Sequence, residues 1–213
     1  LAVVVEEISG MSFAEFTKKR IFEPLKMNKT LFYDDHEEIV KNRAYSYLAS
    51  NYGYKKSRLN YSVPGATSLF TTPEDLALWA LNFENPIIGT PESMEKMQTK
   101  GILNSGESTD YALGQSISKY NGLLNISHGG ADAGYRTVIS RFPDQNFSVI
   151  VFGNTASFNP RRIADQITDL YLSDQYIDEE EVKEPKSKSK KIKVPLETLE
   201  KYVGDYDVQP GIV

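Results

Sequence analysis

The 213-residue sequence contains no cysteine, which excludes disulfide frameworks, thiolate nucleophiles and thiolate metal sites. It holds only two histidines, His36 and His128, too few for a multi-histidine metal centre, and no pattern in it asks for a cofactor. No apolar stretch approaches the roughly 18 residues that span a bilayer. A basic footprint is also missing. The net charge is −5, and the longest basic run, Lys186–Lys193, falls in a segment that reads as a linker, so nucleic acid is not an expected partner.

What remains is ordinary for a globular protein: hydrophobic residues are 40% and charged residues 25%. The length suffices for one domain with a substantial core. The chain opens on Leu1 rather than methionine. Its apolar run is too short, and too soon followed by Glu6-Glu7, to be a signal peptide. A chain that begins inside an apolar run is expected to be the C-terminal part of something longer.

Leu1–Ile8 reads as the end of a buried helix, stopped at Ser9-Gly10 by a glycine suited to a left-handed cap. Ser12-Phe13-Ala14-Glu15 is a capping box that opens a helix to about Phe22, with Pro24 ending it. Residues 27–62 show no sustained period and read as irregular surface connections. Thr72-Pro73-Glu74-Asp75 starts a helix with the stripe Leu76, Trp79, Ala80 and Phe83, and Thr90-Pro91-Glu92 starts a shorter one through Met97. From Tyr111 the period becomes two, and Asn121-Gly122 reads as a tight hairpin turn. Strands are expected over Tyr111–Ser118, Leu123–Ser127, Thr137–Phe142 and Phe147–Phe152, the last two joined by Pro143–Asn146. Asn159-Pro160 caps a final helix whose apolar face is Ile163, Ile167, Leu170 and Tyr171; Arg161-Arg162 places cations in its first turn, where the helix dipole disfavours them. Residues 1–176 thus form one domain. Residues 177–194 are a charged linker, and residues 195–213 are too short to be a domain of their own.

The stretch richest in chemistry is His128-Gly129-Gly130-Ala131-Asp132-Ala133-Gly134-Tyr135. It admits two readings. One is a strand edge stripped of side chains so that an oxyanion can approach a backbone N–H. The other is a glycine-rich hairpin turn with a surface histidine. Ser-x-x-Lys occurs at Ser93–Lys96, Ser116–Lys119 and Ser187–Lys190. On the order of one or two such matches arise by chance in a chain this rich in both residues, so none is read as a nucleophile. Gly114-Gln115-Ser116-Ile117-Ser118 nearly fits a nucleophile elbow, but that fold needs a helix after the serine and the oxyanion loop before it, and here the order is reversed.

Several ordered blocks resemble the serine β-lactamase and penicillin-binding-protein superfamily, in its class C, D-Ala-D-Ala carboxypeptidase and esterase branch. These are Leu1–Gly10 with Ser12-Phe13; Ile21-Phe22-Glu23-Pro24-Leu25-Lys26-Met27 with Thr30 and Phe32, where Lys26 stands at a position usually held by glycine; Gly65–Leu76; Tyr111–Gly114; and His128-Gly129-Gly130. The resemblance implies an α/β (α+β) fold, an antiparallel sheet flanked by helices, here without the N-terminal helix and first strands. Residues 195–213 would begin a truncated C-terminal β-domain. It also implies three motifs around a site, of which Ser-x-x-Lys at the family position and Tyr-x-Asn are not in this sequence. By the same resemblance His128 helps orient a substrate carboxylate, the Ala131 N–H is an oxyanion donor, and Gly129 and Gly130 let substrate lie along the strand. The implied substrate is a small molecule or peptide: a β-lactam, a D-Ala-D-Ala peptide or an ester; the alternative is a non-catalytic binding or scaffold module that kept the fold. The fragment itself is expected to be inactive, to self-associate through an exposed sheet edge, and to derive from a periplasmic or other extracytoplasmic bacterial protein.

Overall fold

The computed structural model describes residues 1–35, 37–58, 63–177, 195–200 and 203, and places residues 1–178 in one compact unit. That unit is mixed α and β, with a four-stranded antiparallel sheet at its centre.

Helix α1 (Ala2–Ser9) ends as expected: Gly10 takes φ 67° and donates to the Glu6 carbonyl. It is not buried, however. Leu1, Val3, Val4 and Ile8 are exposed, with no element among the described residues covering that face. Helix α2 (Phe13–Thr17) passes into a π-helical turn, Lys18–Phe22, closed by the Glu23 N–H on the Lys18 carbonyl. Only half of the expected capping box forms: Ser12 accepts from the Glu15 N–H at 3.1 Å, while the Glu15 carboxylate turns to Lys19 at 2.6 Å. The Phe13 N–H is taken instead by Glu6 Oε1 at 2.8 Å, which joins α2 to α1.

The expectation of irregular structure across 27–62 fails in part. β1 (Leu31–Phe32) pairs with β4 (Leu69–Phe70), and β2 (Ser46–Ser50) with β3 (Gly53–Ser57) makes a hairpin. That hairpin carries no alternation because both of its faces are largely wet, with Leu48, Tyr52 and Tyr54 exposed. Helix α3 (Pro73–Leu81) and helix α4 (Pro91–Met97) begin where their threonine caps and N1 prolines place them.

The central sheet has the order β5-β6-β7-β8, with β5 Ser116–Tyr120, β6 Leu123–Asp132, β7 Tyr135–Phe142 and β8 Phe147–Gly153. Asn121 and Gly122 both take positive φ, 47° and 82°, the conformation of a two-residue primed turn. The expected strand over Tyr111–Ser118 is corrected to begin at Ser116. Gly114 at φ 75° and the Ala112 N–H on the Gln115 carbonyl fold residues 111–115 into a loop. Helix α5 (Pro160–Leu172) covers one face through Val138, Val149 and Ala164, the last with no exposed surface. Its buried positions are Ala164, Thr168 and Leu172, whereas Leu170 and Tyr171, expected on the apolar face, are exposed. Arg161 at its first turn is explained by Asn125: the guanidinium donates to the buried Oδ1 at 3.2 Å and pairs with Asp165 at 3.3 Å. On the opposite face, Ile126, Ile139 and Arg141 look toward Leu76, Trp79 and Phe83 of α3 and the turn after it. A second cluster, Phe22, Leu25 and Met27 with Phe32 and Trp79, binds the α2 region to α3. Phe22, Leu25 and Met27, the buried members, each contribute about 1.5–3 kcal/mol. Helix α6 (Leu196–Glu200) belongs to the separate C-terminal segment.

Candidate active site

The octet His128–Tyr135 is not a turn at its start. His128–Asp132 form the second half of β6, and the turn proper is Ala133-Gly134. β5 ends its pairing at Ser127, so residues 128–132 pair with β7 alone among the described residues, and their other edge is open. His128, Gly129, Gly130 and Ala131 are all exposed.

Facing this edge is the loop Gly65–Phe70, and the cleft between them has a volume of about 440 Å³. Two independent ties hold the loop. The buried Ser68, strained at φ 67°, accepts from the Val63 N–H at 3.3 Å through Oγ and from the Tyr33 N–H at 2.8 Å through its carbonyl. The β1–β4 pairing then fixes Phe70 against Leu31. Gly65 sits at φ 87°, and a Cβ there would come within 3.2 Å of Ala2 and 3.3 Å of the Phe13 ring. Behind the loop the buried Asp75 carboxylate accepts from the Lys29 N–H at 2.7 Å and the Thr30 hydroxyl at 2.8 Å, and Thr30 also contacts Thr71 Oγ1 at 2.7 Å. From sequence Asp75 is only a first-turn acid; its role as a buried acceptor depends on a chain 45 residues away.

Gly129, Gly130 and Ala131 line the cleft together with Asp132 and Thr137. At Gly129 the nearest atom to a built Cβ would be 3.7 Å away, so the strand tolerates a side chain there; what the glycine preserves is open space over the backbone. His128 is set apart from the other three. Its ring lines a neighbouring cavity of about 220 Å³ beneath α3, and Nε2 lies 3.1 Å from the Tyr111 hydroxyl. Sequence reasoning missed a second polar group in that cavity, Arg141. It is buried, donates to Gln98 Oε1 at 3.0 Å and Gln115 Oε1 at 2.6 Å, and lies 3.9 Å over the Phe83 ring. Burial lowers its pKa to about 10, opposed by the charge of Glu84.

A family model described as Beta-lactamase matches residues 1–172. The chain belongs to the β-lactamase family. Penicillin-binding protein 4* of Bacillus subtilis is 26% identical over 228 residues, covering 99% of this chain and 49% of that protein. Teichoic acid D-alanine hydrolase of Staphylococcus aureus is 39% identical over 83 residues, 36% of this chain and 19% of that protein. The octameric penicillin-binding protein homologue of Pyrococcus abyssi superposes with a TM-score of 0.71 at 28% identity, over 85% of this chain and 42% of that one. The chain therefore spans half or less of the length of these relatives.

For a β-lactamase-fold serine hydrolase, the placing of serines matters. Ser93 is the N3 residue of α4: its Oγ accepts from the Thr90 N–H at 2.8 Å, and Thr90 Oγ1 accepts from the Ser93 N–H. That capping box explains the serine completely. Ser116 and Lys119 lie three apart on β5, hence on opposite faces of the strand. Ser187–Lys190 lies outside the described residues, as does His36. The cleft itself holds the hydroxyls of Thr67, Ser68 and Thr137, and among the described residues no lysine or histidine lines it.

Proposed function

We propose that the cleft between Gly65–Phe70 and the open edge of β6 is one half of an acyl-transfer site, acting on a D-alanyl ester, a D-Ala-D-Ala peptide or a β-lactam. The observation that carries this reading is the strand Gly129–Ala131: exposed, paired on one side only, and bordering a cleft large enough for a small acyl group. In this reading substrate lies along β6 as an added strand. The Ala131 N–H supplies one oxyanion donor, a contribution that elsewhere amounts to about 2.7–4 kcal/mol of transition-state stabilisation. Gly129 and Gly130 keep the approach clear. His128 lies on the same strand but lines the neighbouring cavity, where its Nε2 meets the Tyr111 hydroxyl. The name of one curated relative, teichoic acid D-alanine hydrolase, supports a D-alanyl acyl group.

The nucleophile is the missing partner. A serine hydroxyl is inert without an adjacent base, and among the described residues neither lysine nor histidine lies beside the cleft hydroxyls. The reading therefore assigns the Ser-x-x-Lys and Tyr-x-Asn motifs to a segment outside Leu1–Val213, and the 213-residue chain alone is unreactive.

A fluorescent penicillin tests both halves. The 213-residue chain should take no covalent label. The chain extended upstream by its own coding sequence should label stoichiometrically on the serine of a Ser-x-x-Lys. An adduct on any serine of the shorter chain would overturn the missing-nucleophile assignment. An extended chain that lacks the motif and does not label would establish instead a non-catalytic binding module on the same fold.

A further inference from the structure

Beside the cleft lies a second pocket of about 250 Å³, lined by Arg43, Tyr45, Lys56, Ser57, Arg58 and Tyr135. Its charge is at odds with the chain around it. The net charge is −5, yet between Ile39 and Arg58 the sequence holds Lys41, Arg43, Lys55, Lys56 and Arg58 and neither aspartate nor glutamate. Among the described residues no carboxylate lines the pocket, and Arg43, Lys56 and Arg58 take part in none of the ion pairs. Two of the cations rest on aromatic faces instead. The Arg43 guanidinium lies 4.4 Å from the Phe70 ring centre and 5.2 Å from that of Tyr33, and Lys56 Nζ lies 3.1 Å from the centre of Tyr45. Arg43 Nε is also buried without a hydrogen-bond acceptor, a condition that normally costs about 1–3 kcal/mol. A cluster of like charges that no acid among the described residues compensates is arranged for an anion that comes from outside.

The pocket is built on fixed backbone. The Tyr47 N–H donates to the Asn154 carbonyl at 2.8 Å, and the Tyr47 carbonyl accepts from the Ala156 N–H at 2.9 Å. Ser46 Oγ accepts from the Gly134 N–H at 3.0 Å, and the Tyr135 hydroxyl donates to the Ala44 carbonyl at 2.7 Å. Tyr135 is the shared wall, since it also lines the cleft and meets Phe70 edge-on at 6.4 Å. One aromatic ring therefore separates the cationic pocket from the cleft.

We propose that Arg43, Lys56 and Arg58 form a subsite for a phosphate group borne by the substrate whose acyl end enters the cleft. Phosphate rather than carboxylate fits because three cations line one space, more than a single carboxylate can engage, and because the arginine fork matches phosphate oxygens. The link to the cleft rests on the acyl-transfer reading above; the anion pocket itself does not.

The test follows the ¹H–¹⁵N signals of the 213-residue chain, namely the Arg43 Nε–H and the amides of Gly129, Gly130 and Ala131. The probes are inorganic phosphate, a short glycerol-phosphate oligomer, and acetate at matched ionic strength. Phosphate should shift Arg43 saturably, acetate only weakly. The oligomer should bind at least about tenfold tighter than phosphate and should also move the three amides. The double variant Lys56→Gln/Arg58→Gln changes exposed residues only and should weaken phosphate binding by about tenfold or more. Shifts that stay linear, that persist in the double variant, or that acetate reproduces at the same concentration would overturn the phosphate pocket. Saturable binding that leaves Gly129–Ala131 unmoved with every probe would overturn its connection to the substrate. None of these readouts needs hydrolysis, so a failed subsite and a failed acyl-transfer reading give different results.

Discussion

Ser46 Oγ accepts a hydrogen bond from the Gly134 N–H at 3.0 Å, across 88 residues of sequence, and both residues are buried. This single contact sets the β2–β3 hairpin against the turn that follows β6. Ser46→Ala leaves a buried N–H without an acceptor and should lower unfolding free energy by about 1–3 kcal/mol in chemical denaturation. Gly134→Ala should be worse, because the added Cβ would lie 2.6 Å from the Tyr47 carbonyl oxygen, a backbone atom that cannot swing aside. A Gly134→Ala variant as stable as the parent would show that the hairpin does not sit where this contact places it.

Legibility from sequence followed the range of the interactions. Caps and tight turns, such as Thr72, Thr90, Asn159 and Asn121-Gly122, are decided within four residues, and each is where the sequence puts it. The β2–β3 hairpin was hidden because its side chains are wet on both faces and leave no period to read. The same limit applies at the site. The glycines of β6 advertise an open backbone, but the loop Gly65–Phe70 that faces them, the Asp75 anchor behind that loop, and the burial of Arg141 all depend on partners at least 26 residues distant. Exposure of α1 was missed for the complementary reason: an apolar run states that a residue needs cover, not whether the chain provides it.

Lys26 occupies φ 61°, a left-handed conformation that costs a non-glycine residue about 1–2 kcal/mol. Its position is the one where the family resemblance calls for glycine, so backbone geometry supplies the reason for that preference. Glycine relieves the strain but loses about 0.5–1 kcal/mol through its freer unfolded chain. Lys26→Gly should therefore stabilise by up to about 1 kcal/mol, read as a rise in the denaturation midpoint at unchanged m-value.

Asp75 joins the segment after α2 to the start of α3, accepting at 2.7 Å and 2.8 Å from Lys29 and Thr30. Asp75→Ala orphans both donors and should cost about 2–4 kcal/mol. Asp75→Asn keeps one acceptor oxygen and should lose less. Because the loop Gly65–Phe70 leads directly into α3, the alanine variant should also broaden the amide signals of that loop; equal loss in both variants with an unperturbed loop would remove Asp75 from the support of the cleft.

The exposed apolar residues Val3, Val4 and Ile8 lie in α1, with exposed Leu1 just before it, and β8 pairs only with β7 among the described residues. An uncovered apolar face and an unpaired strand edge both favour association. The 213-residue chain should show concentration-dependent mass in light scattering. Replacing Val4 and Ile8 with lysine should reduce it without loss of fold, since neither is buried. A strictly monomeric parent would count against this.

The Tyr120 hydroxyl donates to Asp169 Oδ1 at 2.8 Å, and Tyr176 donates to the same oxygen at 2.5 Å. Partial burial, and then the carboxylate acceptor, raise the Tyr120 pKa well above its ordinary value of 10; the Tyr176 pKa is raised for the same reasons. The sign of the pH effect follows from proton counts. Above pH 10 the unfolded chain releases the tyrosine protons while the folded chain still holds them, so the folded state binds more protons and stability falls as pH rises. Below pH 10 both states hold them and the contribution is fully present. Tyr120→Phe removes one of these hydrogen bonds and should cost about 1 kcal/mol near pH 8. The parent's advantage should shrink steadily above pH 10, because only the parent must keep a protonated phenol there. Denaturation midpoints for parent and variant from pH 8 to 11 check this, the difference cancelling lysine titration common to both. A difference that stays constant or widens with pH would show that Asp169 does not hold the Tyr120 proton.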